Sequence, residues 1–517
     1  MVSRKIKAVV GVAGVVFLSK ILGLGREVVI ADKFGTSAEY DLYLIAIILP
    51  ALAYGVINFA SFYLFVPYLT RKLESLRAGE EVSGWRAAWS VCNFSLVSGL
   101  IITLVIIVTA PYLMKIWAGD YAAADFARVV FYSRITAAMV VLGTSEAFLR
   151  AVLNVRRIFT YPAAGPIIFN LVSIISVLSL AGRFSVGAVA IGLLAGLTLQ
   201  NLYLVVRLLG MRAFGIWRPD WWTPDVKAVV GTAGILLMVE LLNRSYFMID
   251  RYFALTFGEG IISGLYYAQV LVLLPDAVVG FAIASVVFPE FSQRYSDEDR
   301  RVFSATYRNA VTAGMLVAVP MAVFVFANAR DIVYLLFVRG VFDAQSLEIT
   351  TNVLLPFVPT IVALFVVSTS IRACYGRGWS GTVLVFTVVL LVVKAAGTAL
   401  LPKWLGYPGI AAATSVSQVG FALALLVLIV RRSKMIGGGR MALDLAKLLA
   451  AGGLGLVALY FLGDTIGSLW GLPVVSRAGA LARMATSAAL LFAYYAAAVQ
   501  LMGFGGYVRQ VVRKRSD

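Results

Sequence analysis

The chain has no histidine and only two cysteines, Cys92 and Cys374, among its 517 residues. This scarcity excludes a disulfide framework, a zinc site of the usual Cys/His spacing, a Cys/His nucleophile pair and a histidine proton relay. We therefore expect no metal site and no cofactor. Any coupling to an ion must depend on aspartate, glutamate, lysine or arginine.

Charged residues are also few. They make up 14% of the chain, against about 25% in soluble domains, whereas 61% of the residues are hydrophobic and the mean hydropathy is +0.92. A chain of this composition cannot cover itself with a water-facing surface, so we predict an integral membrane protein. Catalytic motifs are missing too: the GGG run at 437–439 has no strand before it and no GK[ST] after it. The sequence predicts that the protein is not an enzyme.

Acidic residues are outnumbered, with 26 Asp and Glu against 44 Lys and Arg, for a net charge of +18. Such an excess can indicate nucleic-acid binding, but these basic residues lie in short loops between apolar runs rather than on one face or in a motif. With the N-terminus inside, the inner loops hold roughly 25 Lys and Arg and the outer loops roughly eight, as the positive-inside rule requires. We predict that both termini are cytoplasmic and that no nucleic acid binds.

The chain is filled by apolar runs long enough to cross a bilayer as helices, which takes about 20 residues. The first run is not a cleaved signal peptide, because no A-x-A site follows it and Lys20 and Arg26 interrupt it. Fourteen runs can be placed, at 8–31, 41–69, 88–113, 127–154, 160–182, 186–209, 228–256, 262–291, 305–328, 346–373, 380–401, 407–430, 442–463 and 479–502.

The opening of the sequence is used twice. KAVVG begins at Lys7 and again at Lys227, and Phe34-Gly35 recurs as Phe257-Gly258. Six runs fall in each repeat and two follow, and an even number of helices makes the repeats parallel. The predicted fold class is an all-α polytopic membrane protein of about 14 transmembrane helices, with two six-helix lobes in parallel repeat plus two C-terminal helices. The predicted domains are an N-terminal lobe (1–210), a cytoplasmic interfacial linker (211–226), a C-terminal lobe (227–431), a flexible joint (432–441), helices 13 and 14 (442–503) and a basic cytoplasmic tail (504–517).

Charges inside the spans of the first lobe are candidate site residues, because each costs about 2.5–3.5 kcal/mol at the centre of a membrane helix and usually faces a cavity or a partner. Span 1 carries Lys20, Arg26 and Glu27, and span 2 begins with Asp41. Together they predict that the inner wall of the first lobe carries charges of both signs and is mainly cationic. In the alternative, Arg26 and Glu27 reach water near the outer end and Asp41 is a solvated helix start.

Span 7 carries the largest group of charges within an apolar helix. Glu240, Arg244 and Arg251 share one helical face, and Asp250 lies on a neighbouring face. We expect this polar side to line a cavity, and the alternative is an internally neutralised structural cluster with Glu240 paired to Arg244.

Two further charges lie in the second repeat. Asp276 is near the middle of span 8, and Lys394 is within span 11, where no acid of its own helix is available. Asp250 and Asp276 are the expected partners of Lys394, for ion coupling or as an internal ion pair.

Several motifs resemble those of one family. SKILGLGREVVIADKFG, DLYLIAIILP, SGLYYAQVLVLLP, FPEFS and LLFVRGVFDAQ are similar to motifs of the MurJ/MviN family of lipid II flippases, in the multidrug/oligosaccharidyl-lipid/polysaccharide exporter (MOP) superfamily. The resemblance implies two six-helix lobes around a central V-shaped cavity, with helices 13 and 14 forming a lipid-facing groove. It also implies a place in the bacterial inner membrane and a role in peptidoglycan synthesis and cell wall biogenesis.

The chain departs from the family pattern in the charged residues. Lys20 stands where the family has an arginine, Tyr54 and Gly55 replace arginines after the span 2 proline, and an Asp-Arg pair becomes Gln269-Val270. We expect Arg244, Arg251 and Lys394 to compensate from other helices.

The sodium site of some family members is also altered. Asp250 and Thr414 match positions of that site, but Lys394 stands where it has a neutral asparagine. A fixed ammonium there is expected to replace the ion.

Three classes of function remain open. The first is a flippase for a polyprenyl-diphosphate-linked saccharide, either lipid II or an exopolysaccharide or O-antigen precursor, working by alternating access. The second is a cation or drug exporter of the same superfamily, and the third is a non-transporting scaffold of envelope assembly. The expected partners are the lipid-linked substrate, membrane lipids and sodium, protons or the membrane potential as the coupling force, and the protein is expected to be a monomer.

Overall fold

The computed structural model describes residues 2–60, 64–74, 81–209, 220–276, 297–435, 437–469 and 476–504. Across these residues the regular secondary structure is helical and no strand occurs. Helices suit a bilayer because they satisfy every backbone polar group within one segment. The helices are α1 (Val2–Phe34), α2 (Ala38–Ala46), α3 (Ile48–Ala60), α4 (Val66–Glu74), α5 (Glu81–Leu113), α6 (Lys115–Ala118), α7 (Ala123–Thr136), α8 (Ala138–Val155), α9 (Thr160–Phe184), α10 (Gly187–Leu209), α11 (Pro224–Ala254), α12 (Ile261–Pro275), α13 (Asp297–Ala327), α14 (Ala329–Phe337), α15 (Ala344–Phe357), α16 (Pro359–Gly376), α17 (Ser380–Leu400), α18 (Pro402–Leu405), α19 (Pro408–Arg432), α20 (Gly438–Leu469) and α21 (Arg477–Leu501).

Where the structure describes them, the fourteen predicted runs lie mainly on helix, with short non-helical breaks inside three of them at Ile47, Ala137 and Val358. By length and composition, ten helical segments of the described residues can cross a membrane, or eleven if α2 and α3, which meet at 45°, form one broken span. The all-helical membrane fold is therefore confirmed, whereas the count of 14 crossings stays a prediction.

Helix starts follow local capping chemistry. The side chains of Ser37, Thr223, Asp343 and Ser476 each accept a hydrogen bond from a backbone N–H in the first turn of the helix that follows, and Pro224 occupies the first position of α11. Asp343 lies in a loop outside the spans, and the N–H of Ser346 lowers its pKa.

The first compact unit contains residues Met1–Ser263 and Arg339–Phe342. Within it α9 packs against α1 and α10, α8 packs against α3, α5 and α10, and α11 packs against α3 and α5. A buried cluster that includes Trp85, Phe148, Leu153 and Leu204 joins α5, α8 and α10.

The start of α11 is fixed to α4 by Asp225, which accepts hydrogen bonds from the hydroxyl of Tyr68 and from Lys72 at 2.9 Å. Burial raises the pKa of Asp225, but these two donors outweigh it and lower that pKa overall. The linker and α4 are thus joined through one carboxylate.

The second compact unit contains residues Gly264–Val338 and Asp343–Asp517. Here α13 packs against α16 and α20, α19 packs against α15, α16 and α17, and α20 packs against α21. Arg483 of α21 makes a bidentate ion pair with Asp331 of α14, at 2.9 and 2.6 Å.

The predicted domain boundaries rest on the repeat, and they stay predictions. α11 is the first helix of the second repeat, yet by contacts it belongs to the first unit. Residues 210–219 of the predicted linker and the basic tail from residue 505 lie outside the described residues.

Candidate functional site

In α1, Arg26 and Glu27 form an ion pair instead of each reaching water. Arg26 Nη2 lies 2.5 Å from Glu27 Oε1, and the guanidinium stacks over the ring of Phe169 at 5.2 Å. Glu27 is 3% exposed, so its carboxylate does not reach water as the alternative interpretation required. Lys20 is exposed. Of the two predicted cationic site residues in α1, Lys20 is thus exposed and Arg26 is held by a buried acid.

Asp41 is buried, in contrast to a solvated helix start. Its carboxylate accepts the backbone N–H groups of Gly260 at 2.7 Å and Ser263 at 2.8 Å, and so caps the N-terminus of α12. Capping satisfies two donors that the first turn of a helix leaves free. We call this contact the Asp41 cap.

A second contact between distant segments lies at the end of α1. The N–H of Val341 donates to the carbonyl of Asp32 at 2.9 Å. Gly340 has φ +53°, and a Cβ there would collide with the backbone of Asp32. The glycine of the LLFVRGVFDAQ motif is therefore required both by its φ and by the close approach.

The ion pair that the alternative interpretation of α11 requires is present, and the cavity lined by its polar side stays a prediction. Arg244 Nε donates to Glu240 Oε1 at 2.7 Å, with the arginine side chain 49% exposed and the glutamate 10%. A Cβ at Gly55 would lie 2.7 Å from Arg244 Nε, so the glycine in α3 leaves room for the guanidinium. Arg251 donates to the carbonyl of Leu44 at 2.8 Å.

Lys394 is completely buried in the second unit. Its ammonium donates to the hydroxyl of Thr414 and to the carbonyl of Ile410 at 3.4 Å, both on α19. Asp250 is 5% exposed in the first unit. The expected pair of Asp250 with Lys394 stays a prediction.

Asp276 follows the last residue of α12 and is half-buried. The opposite charge of Arg372 acts on its carboxylate. A pairing of Asp276 with Lys394 likewise stays a prediction.

Sequence reasoning missed a polar network in the first unit. Glu146 of α8, 1% exposed, lies 3.5 Å from Arg150 Nε and accepts a hydrogen bond from Gln200 of α10 at 3.1 Å. Arg150 Nη2 in turn donates to Asn58 Oδ1 of α3 at 2.5 Å. The signal was available, because Glu146 and Arg150 have the same i,i+4 spacing within an apolar run as Glu240 and Arg244.

The charged side chains described above are better suited to bind an anion than a metal ion. Among the described residues, no three His, Cys, Asp or Glu side chains come close enough to hold a metal ion. Arginine is suited to phosphate and carboxylate because its planar fork can donate two parallel hydrogen bonds.

Known proteins resemble this chain along most of its length. The "Probable lipid II flippase MurJ" of Rhizobium meliloti (strain 1021) is 26% identical over 535 aligned residues, which cover 98% of this chain and 96% of the relative. The "Lipid II flippase MurJ" of Burkholderia cenocepacia is 24% identical over 420 residues, covering 78% and 80%.

Two solved structures share the fold. A structure described as "Lipid II flippase MurJ, inward closed conformation" superposes with a TM-score of 0.78 at 19% identity, covering 95% of this chain and 99% of the other. A multidrug resistance transporter of the MATE family, in the MOP superfamily, has a TM-score of 0.66 at 14% identity, covering 80% and 94%. The family model "Lipid II flippase MurJ" matches residues 30–475, and the chain therefore belongs to the lipid II flippase MurJ family.

Proposed function

We propose that this protein moves a polyprenyl-diphosphate-linked saccharide, lipid II or a related cell-envelope precursor, from the inner to the outer leaflet of the bacterial inner membrane. Membership of the MurJ family over residues 30–475 carries this proposal. Exposed or half-exposed cations at Lys20, Arg26 and Arg244 support it, because a diphosphate that leaves water needs replacement donors.

The Asp41 cap supports alternating access. Asp41 belongs to the first repeat and accepts its hydrogen bonds from the start of α12 in the second, at the end of the spans that the charge pattern assigns to the outside. Release of the substrate to the outside requires contacts such as the Asp41 cap to break. The two hydrogen bonds from backbone N–H groups to one carboxylate can break and re-form together.

The proposal includes the orientation of the protein, its oligomeric state and its driving force. Both termini are cytoplasmic, the protein acts as a monomer, and its role is transport rather than catalysis. The driving force comes from sodium, protons or the membrane potential, with the buried ammonium of Lys394, which donates to Thr414, favouring a coupling that does not depend on sodium.

Rescue of a bacterial strain depleted of its own lipid II flippase tests the proposal. We expect this chain to restore growth and rod shape, and the purified protein in liposomes to expose added lipid II to an external enzyme that modifies its saccharide. Failure of both, with normal membrane expression, would contradict lipid II as the substrate.

An exopolysaccharide or O-antigen precursor is the second candidate. The observation that favours it is the unusual set of cations, with Arg150 and Arg244 beside α3 where Tyr54 and Gly55 carry no charge. Rescue of a mutant that lacks a polysaccharide flippase, without rescue of the lipid II strain, would select this candidate. Export of a cationic dye by liposomes, without either rescue, would instead favour a cation or drug exporter.

A further inference from the structure

A groove lies on the second unit between α17 and α19, near the helix ends that the charge pattern assigns to the cytoplasm. Its volume is about 650 Å³, within the range of about 300–1,000 Å³ that is usual for a ligand site. Its apolar wall includes Phe386, Leu423 and Val427, and Arg431 and Arg432 lie at one end. We call it the α17–α19 groove. Its composition suits a ligand with a long apolar part and an anionic end.

The helix faces around the groove are apolar and exposed. Val385 and Val389 of α17 and Leu423 and Val427 of α19 are each at least 50% exposed. Both helices are long and apolar enough to cross a membrane, and an exposed apolar face of such a helix contacts lipid. The α17–α19 groove therefore opens toward the acyl chains of the bilayer, and its arginines lie at the level of the headgroups.

Arg432 is held in position at the start of α17. Its Nη1 donates to Thr382 Oγ1 at 2.6 Å, and its guanidinium lies over the ring of Trp379 at 4.8 Å. A guanidinium that stacks on a ring through its face keeps donors on its edge for phosphate oxygens. Arg431 is adjacent, both arginines are exposed, and within the described residues neither contacts a carboxylate. Two cations are thus available to a phosphate at this end of the groove.

The first repeat has a similar arrangement with one arginine fewer. Arg207, in the last turn of α10, lies over the ring of Tyr161 at 5.1 Å, as Arg432 in the last turn of α19 lies over its own aromatic ring. The residue before Arg207 is Val206, whereas the residue before Arg432 is Arg431. The stacked arginine is therefore common to both halves, and the second cation is particular to the groove.

We propose that the α17–α19 groove binds one anionic phospholipid of the inner leaflet, of the phosphatidylglycerol type, as a resident lipid and not as the transported substrate. Its acyl chains lie against the apolar wall, and its phosphate accepts hydrogen bonds from Arg431 and Arg432. Thr382 and Trp379 are positioning residues for Arg432. The bound lipid joins the start of α17 to the end of α19 from the membrane side. Binding there does not depend on which molecule the protein transports.

Native mass spectrometry of the full-length protein in detergent measures the Kd for three probes: phosphatidylglycerol, phosphatidylcholine with the same chains, and glycerol 3-phosphate. We expect one phosphatidylglycerol to bind most tightly. Arg431→Gln and Arg432→Gln should each raise its Kd about fivefold, and together about thirtyfold, because each arginine near an anionic headgroup adds a similar attraction. Ala424→Trp places a large side chain in the groove and should raise the same Kd although both arginines remain.

Arg207→Gln is the matched control, since it removes a stacked arginine from the last turn of the corresponding helix in the first repeat. It should leave the Kd for phosphatidylglycerol unchanged. An equal loss in this variant would indicate a general attraction to the basic inner face and overturn the site. Equal affinity for phosphatidylcholine would overturn the anionic ligand, and an unchanged Kd with Ala424→Trp would overturn the role of the groove.

Thermal unfolding in detergent shows whether each variant is folded. Phosphatidylglycerol should raise the melting temperature of the wild-type protein, because a ligand that binds only the folded state stabilises it, and should raise it less in the double glutamine variant. Where a variant fails to fold, Arg431→Lys with Arg432→Lys, or Ala424→Leu, takes its place. The lysines should give an intermediate Kd, since lysine keeps the charge and loses the planar fork. An unchanged Kd in folded arginine variants would overturn the site.

Discussion

At the scale of single residues, three acids within the membrane-length helices hold arginines of their own helices in place. Glu27, Glu146 and Glu240 are buried or nearly so, and each contacts an arginine of its own helix. Because a buried charge without its partner costs several kcal/mol, substitution of such an arginine alone disturbs folding as well as function. Experiments on these arginines therefore need a second substitution that neutralises the acid.

Arg26 illustrates this design. We expect the double variant Arg26→Ala/Glu27→Gln to fold near wild-type yield and to lose transport of the lipid-linked substrate, because we propose that the guanidinium donates to the phosphates of that substrate. Glu27→Gln alone serves as the control and should keep most of the activity. The measurement is rescue of the depleted strain together with membrane expression, and normal transport by the double variant would remove Arg26 from the site.

For Lys394 we predict an ion pair with Asp250 that takes the place of a bound sodium ion. Asp250→Asn or Lys394→Ala alone should lower the free energy of unfolding by about 3–5 kcal/mol, because one buried charge is left without compensation. The double variant should recover much of this loss in a double-mutant cycle. Transport should not change when sodium is replaced by potassium at constant ionic strength.

The double-mutant cycle and the replacement of sodium by potassium can also contradict the predicted ion pair. Additive single losses, combined with transport that rises with sodium, would show that Asp250 binds a mobile cation. In that case the role of Lys394 is to donate hydrogen bonds to Thr414 and Ile410 of α19 and not to replace a sodium ion.

At the scale of helices, the Asp41 cap fixes the start of α12 to the start of α2. We expect Asp41→Asn to lower stability by about 1–3 kcal/mol, since a buried carboxylate with two charge-assisted bonds becomes an amide with one acceptor oxygen. Thermal unfolding in detergent measures the loss. Asp125→Asn is the control, because Asp125 also lies in the first turn of a helix but its side chain is 40% exposed. An equal loss in both variants would contradict the special role of the cap.

The helices themselves could be predicted from the sequence, because apolar runs of membrane length have few alternatives to helix. The pair of Glu240 with Arg244 was also predictable, since it follows from i,i+4 spacing within one helix. The Asp41 cap was not, because its partners lie 219 and 222 residues away and are backbone N–H groups that no side-chain pattern marks. Burial of Glu27 was likewise hidden, since the helical pattern gives the direction of a side chain and not what packs against it.

At the scale of the whole molecule, the predicted topology places both termini and the linker on the cytoplasmic side. Single cysteines should show it: Trp404→Cys, at a site that is 77% exposed between α17 and α19, should react with an impermeant maleimide in intact cells, and Arg71→Cys should react only after lysis. The native Cys92 and Cys374 are buried, which keeps the background low. The reverse labelling pattern would invert the predicted orientation.

The sequence repeat and the compact units divide the molecule differently. The repeat assigns α11 to the second half, whereas its packing against α3 and α5 places it in the first unit. Packing depends on which faces of a helix are apolar, so the position of α11 in the repeat does not by itself predict the unit in which α11 packs.

The hydrogen bond between Val341 and Asp32 can form only long after the ribosome has made the first helix. Ribosomes add about 5–20 residues per second, so the roughly 300 residues between these two positions take on the order of 15–60 s to synthesise. During that interval the carbonyl at the end of α1 must accept water or a chaperone in place of its final partner. The C-terminal end of α1 is among the first parts of the chain to be made, but its contact with Val341 can form only after 341 of the 517 residues have been synthesised.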